Sequence, residues 1–118
     1  MKQQERRRAV RAPAKLAMEV KLGGEDCGKL ETINVSANGV YFSSPKFIAP
    51  LTRLEITLLI PDDSKKDREV PCEGVVVRTE PETEDKRHDR YQVACYFTAI
   101  GEGDREKLES YILAQLPF

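Results

Sequence analysis

The strongest constraint on this chain is a two-residue alternation of apolar and polar side chains, repeated in short stretches and abandoned only near the C-terminal end. In the first stretch Ala14, Leu16, Met18, Val20 and Leu22 fall on one side and Lys15, Ala17, Glu19 and Lys21 on the other. That is the pattern of a strand with one face in a core and one in water. The sequence Gly23-Gly24-Glu25-Asp26 turns the chain, and a second strand is expected over about 29–35. After the turn Ser36-Ala37-Asn38-Gly39, a third strand covers 40–43, so that the first three strands form an antiparallel meander. Two prolines, Pro45 and Pro50, make the next segment irregular; Leu54, Ile56, Leu58 and Ile60 then alternate as a fourth strand.

A fifth strand is expected over about 70–79. Its run Val75-Val76-Val77 suggests that both faces are at least partly covered there. The charged stretch 80–90 reads as a mobile hairpin connection, and Tyr91, Val93, Cys95 and Phe97 alternate in a sixth strand. Only then does the period change. Leu108, Tyr111, Ile112, Gln115 and Leu116 fall at helical spacing, Asp104 suits an N-cap, and Pro117 ends the helix. The sequence therefore specifies a mainly β fold: a six-stranded antiparallel β-barrel or strongly curled sheet, plugged or flanked by one C-terminal α-helix.

The 118 residues suffice for one domain with a real core and no staples. We divide it into an arm (1–12), expected to be flexible, a barrel (13–100) and a helix (104–116). The net charge of −1 and sequence pI of about 5.9 argue against a basic nucleic-acid binder. No apolar run is long enough to span a bilayer, and charges stand where a signal peptide needs its hydrophobic stretch. The expectation is a cytoplasmic protein without membrane contact. Cys27, Cys72 and Cys95 have no metal-site spacing and are expected to stay reduced, the last two in the core and Cys27 in a turn. The single histidine, His88, sits among Lys86, Arg87, Asp89 and Arg90 with no nucleophile partner. No catalytic residue, metal site or cofactor is expected, and the chain does not read as an enzyme.

Positive charge is local. Arg6-Arg7-Arg8-Ala9-Val10-Arg11 concentrates guanidinium groups, whose rigid forks suit phosphate oxygens and the O6/N7 edge of guanine. The second notable stretch, Asn34-Val35-Ser36-Ala37-Asn38-Gly39, lies at a strand-to-strand turn. There Asn and Ser commonly bond the local backbone and Gly accepts positive φ, but the same residues can present an amide, a hydroxyl and approachable backbone to a ligand.

Together, RRxxxR at Arg6, Arg7 and Arg11 and NxSxxG at Asn34, Ser36 and Gly39 resemble the two-part signature of PilZ domains, bacterial receptors for cyclic di-GMP. The resemblance extends over essentially the whole chain, through the strand containing Gly74 to Arg78, the strand from Tyr91 to Phe97 and the terminal helix. It implies a PilZ-like split barrel that is a non-enzymatic receptor. Arg7 and Arg11 would grip phosphate and the guanine edge, Asn34 and Ser36 would make base and phosphate contacts, and Gly39 would permit close approach. An arginine at the position of Arg6 goes, in similar proteins, with an intercalated dimer of the nucleotide, implying two ligand molecules per chain. Binding would order the N-terminal arm and so signal to a downstream protein partner that the sequence does not identify. Two other readings remain open: a small barrel binding nucleic acid through its basic arm, and an adaptor domain that binds no ligand. The pI, the absence of tryptophan and the lack of an aromatic row argue against the former.

Overall fold

The computed structural model describes residues 11–61 and 68–116. Its strands are β1 (Ala17–Leu22), β2 (Glu25–Val35), β3 (Gly39–Ser44), β4 (Arg53–Ile60), β5 (Arg68–Glu80) and β6 (Tyr91–Ile100), followed by one helix, α1 (Glu102–Gln115). They close into a barrel in the order β1-β2-β3-β6-β5-β4, with every neighbouring pair antiparallel. Two three-stranded meanders, β1-β2-β3 and β4-β5-β6, are joined edge to edge by the β3–β6 and β1–β4 pairs. The expected six-stranded barrel with a C-terminal helix is thus the fold.

Alternation places Met18 and Val20 of β1, Val40 and Phe42 of β3, Leu54, Ile56, Leu58 and Ile60 of β4, and Val93, Cys95 and Phe97 of β6 inside. Complete burial of a side chain such as Phe42 contributes about 1.5–3 kcal/mol, so this interior holds the barrel closed. From α1, Leu108 and Ile112 enter the same core, with Tyr111 and Leu116 packed at its margin. The helix starts earlier than expected. Gly101 (φ −63°, ψ 147°) is its N-cap, with no side-chain capping bond, and Asp104 lies in the first turn, where its charge faces the positive end of the helix dipole. At the other end the cap is Leu116; Pro117, expected to stop the helix, lies outside the described residues.

Several local expectations need correction, most of them through bulges. In β5 the register shifts between Val76 and Arg78, leaving Val77 as an extra residue, 55% exposed, while Val76 is fully buried. The valine run therefore marks a bulge: Val75 is half-buried on the outer face, as partial cover of both faces requires, but Val77 is not covered. Opposite it, Leu51 sits at φ 73° and donates its N–H to the Val76 carbonyl (2.7 Å). A second shift, between Thr32 and Asn34, makes Ile33 the extra residue of β2. The partly exposed Cys27 lies within β2, where the β1–β2 register shifts, and not in the preceding turn.

Regular pairing of β1 begins at Ala17, later than the alternation suggests. Residues 12–16 are held differently. The buried Thr32 hydroxyl donates to the Ala14 carbonyl and accepts from the Leu16 N–H. The 80–90 connection, expected to be mobile, is moored: the hydroxyl of the buried Tyr91 donates to the Asp85 carbonyl (3.0 Å) and accepts from its N–H (3.1 Å). Arg87 also pairs with the Asp85 carboxylate at 2.9 Å, which holds that carboxyl below its usual pKa range. Cys27, Cys72 and Cys95 are free thiols. Burial pushes the Cys72 and Cys95 thiols up to about 12, so both stay protonated, unreactive core residues at neutral pH.

Candidate functional site

One residue from each half of the signature, Arg11 and Asn34, meets the other beside β2. Ala12 forms an isolated antiparallel bridge with Val35, its N–H donating to the Val35 carbonyl (3.0 Å) and its carbonyl accepting from the Val35 N–H (3.1 Å). Ala12 is wholly buried, so the boundary drawn for the arm at residue 12 moves back: the chain is anchored by that point. The bridge sets Arg11 beside Asn34, and Arg11 Nη1 donates to Asn34 Oδ1 at 3.0 Å. This fixes the orientation of the amide. With its oxygen engaged by the guanidinium, Asn34 keeps both Nδ2 hydrogens for a further acceptor. Arg6 and Arg7 lie outside the described residues.

Ser36 and Gly39 build the turn from within. Ser36 is 2% exposed, and its Oγ accepts from the N–H groups of Asn38 (3.1 Å) and Gly39 (3.2 Å) and donates to the Gly39 carbonyl (3.5 Å). The Ser36 N–H donates to the same carbonyl at 2.9 Å. Gly39 does not occupy the positive-φ region. Its requirement is steric: a Cβ there would stand 2.3 Å from the Cys95 carbonyl oxygen of β6. The backbone that Gly39 allows to approach is the neighbouring strand.

Sequence reasoning missed Arg105. From the first turns of α1, its Nη1 donates to the Ala37 carbonyl (2.7 Å) and to Asn38 Oδ1 (3.4 Å), while the Phe97 N–H donates to the Asn38 carbonyl (2.8 Å). The signature turn is thereby tied to both β6 and the helix. No spacing rule points to a side chain nearly seventy positions away in the chain; only the barrel closure brings it there.

Among the described residues no group of three or more His, Cys, Asp or Glu side chains is placed to hold a metal ion, and no helix is long and apolar enough to cross a membrane.

Comparison with known families matches the PilZ domain over residues 5–114. The chain belongs to the PilZ family. Solved structures agree with that fold. The Bacillus subtilis inhibitor of motility, MotI/DgrA, superposes with a TM-score of 0.73 at 22% identity, covering 92% of this chain and 50% of that one. MrkH of K. pneumonia in its apo state gives 0.67 at 17% identity, covering 92% and 50%. The MrkH–c-di-GMP complex gives 0.62 at 17% identity, covering 91% and 50%. This PilZ chain spans about half the length of these proteins. No curated protein matches its sequence.

Proposed function

We propose that this PilZ domain is a non-enzymatic receptor for cyclic di-GMP. The observation that carries the reading is the Arg11–Asn34 hydrogen bond, which joins the two halves of the signature across 23 positions of sequence. A guanidinium beside an amide offers fork donors for a phosphate or guanine O6/N7, together with amide hydrogens for a second acceptor. Arg7 completes the grip on phosphate, and Arg6 supports binding of two nucleotide molecules per chain. Ser36 and Gly39 serve the site by shaping the turn that carries its backbone. Binding draws the arginine arm onto the barrel, and the surface so formed is read by a protein partner in the cytoplasm. The MrkH–c-di-GMP complex among the similar folds supports the choice of ligand.

Calorimetric titration tests the ligand. Heat at micromolar cyclic di-GMP with a stoichiometry of two, lost in Arg7→Ala and Arg11→Ala, is expected; no heat with the parent chain, or unchanged binding in both variants, refutes the reading. Arg6→Leu is expected to reduce the stoichiometry to one. Partner capture with and without the nucleotide tests the output, since a partner held equally in both conditions would rule out ligand-dependent signalling.

A further inference from the structure

The loop leading into β4 keeps a large apolar side chain in water at a conformational cost. The Thr52 N–H donates to the Ala49 carbonyl (3.3 Å), closing a turn with Pro50 in its second position and Leu51, at φ 73°, in its third. A turn with positive φ at the third position ordinarily takes Gly or Asn there, because a larger side chain crowds the backbone. Leu51 is also 81% exposed, so no burial within the chain offsets the strain. Strain of that kind points to a use outside the fold.

Leu51 does not stand alone. Its own bond to the Val76 carbonyl, and that of the Val76 N–H to the Thr52 carbonyl (2.9 Å), set it beside the outward Val75 and Val77 of β5. Val75 is in turn the register partner of Arg53 and of Tyr96, and Tyr96 is 49% exposed. Leu51, Val75, Val77 and Tyr96 thus form one apolar group on the outside of β4, β5 and β6. Arg53 and Arg78 stand exposed at its margins, and among the described residues neither has an ion-pair partner. Glu55 and Glu73, a register pair, bound the group beyond Arg53.

The complement lies on α1. Glu102, Glu106, Glu109 and Leu113 recur at helical spacing along one exposed stripe, and Leu113 is 54% exposed. Glu109 lies one turn, about 6 Å, from Leu113 along the axis. A helix that seats Leu113 in the apolar group therefore brings the carboxylates of its preceding turns to the arginines at the margin.

We propose that the chain self-associates head to tail: α1 of one copy docks through Leu113 on the Leu51, Val77 and Tyr96 group of the next, with Glu106 and Glu109 facing Arg53 and Arg78. Two different surfaces meet in this contact, so a pair of chains joined by it still has one free surface of each kind.

Sedimentation equilibrium of the full chain tests the contact. The average mass is expected to rise with concentration above the 13.4 kDa of one chain, with a dissociation constant of about 100 μM, and to rise less in high salt. Leu51→Asn and Leu113→Gln each weaken the association about tenfold. Leu51→Asn at the same time raises the urea midpoint, since asparagine tolerates positive φ. Mixed together, the two variants form a one-to-one pair and nothing larger, because one keeps the helix stripe and the other the apolar group. A parent chain that stays monomeric at about 1 mM overturns the proposal. So does association lost in Leu51→Asn but kept in Leu113→Gln, which assigns the apolar group to another occupant, and so do two variants that remain monomers when mixed. A lower urea midpoint in Leu51→Asn also overturns it, by showing that Leu51 serves its own fold.

Discussion

Two turns of the same meander use glycine for opposite reasons. Between β1 and β2, Gly23 and Gly24 sit at φ 59° and 86°, and a Cβ on either would meet nothing within 4 Å. There glycine supplies a backbone conformation in open space, as a two-residue hairpin turn with positive φ at both positions demands. Between β2 and β3, Gly39 has no such conformation and no such space: the Cys95 carbonyl occupies the place of a side chain. The first turn is a local solution, determined by its own residues. The second is built into the tertiary structure, held by Ser36 from inside, Phe97 from β6 and Arg105 from α1. Signature glycines are commonly credited with freedom, yet here the one at position 39 is needed for tightness.

The largest expected effect tests this contrast directly. Gly39→Ala must push a backbone carbonyl aside and is expected to cost about 3 kcal/mol or more in urea unfolding; a cost no greater than that of Gly24→Ala would break the comparison. Next comes Ser36→Ala, which leaves the part-buried Asn38 N–H and the buried Gly39 N–H without their acceptor at a cost of about 2 kcal/mol. Its cavity is small, so a loss much above that would mean the turn itself had collapsed. Arg105→Ala is expected to cost about 1 to 1.5 kcal/mol and to speed amide exchange at Asn38 and Gly39 while leaving Gly24 unchanged. Exchange that rises equally in both turns would show loosening of the whole barrel in place of a specific tie. The smallest effect is Gly24→Ala, about 1 kcal/mol of strain from positive φ, partly offset by reduced freedom of the unfolded chain, with no change in nucleotide affinity.

The same contrast separates what could be read from the sequence from what could not. Alternation located the six strands because each has one dry face, and the helical spacing of Leu108 and Ile112 identified the one element among the described residues that packs with a different period. Bulges were invisible: Ile33 and Val77 resemble ordinary strand residues, and nothing in their chemistry announces that the partner strand skips them. The start of the helix was misplaced because Gly101 caps it with backbone alone, whereas Asp104 has the side chain that usually does so. For the site, the signature directed attention to Arg11 and Asn34, which do meet. Their neighbours across the barrel depend on register, and register is set by bulges and closure over long separations. Arg6 and Arg7 rest on the signature alone.

Closure of the barrel also limits the kinds of recognition open to it. With β1 paired to β4 and β3 to β6, the sheet offers no free edge, so a partner cannot bind by adding a strand of its own. Any conversation with another protein must pass through side chains and loops. A small ligand lying across those side chains can then alter what is said without disturbing a single backbone ladder.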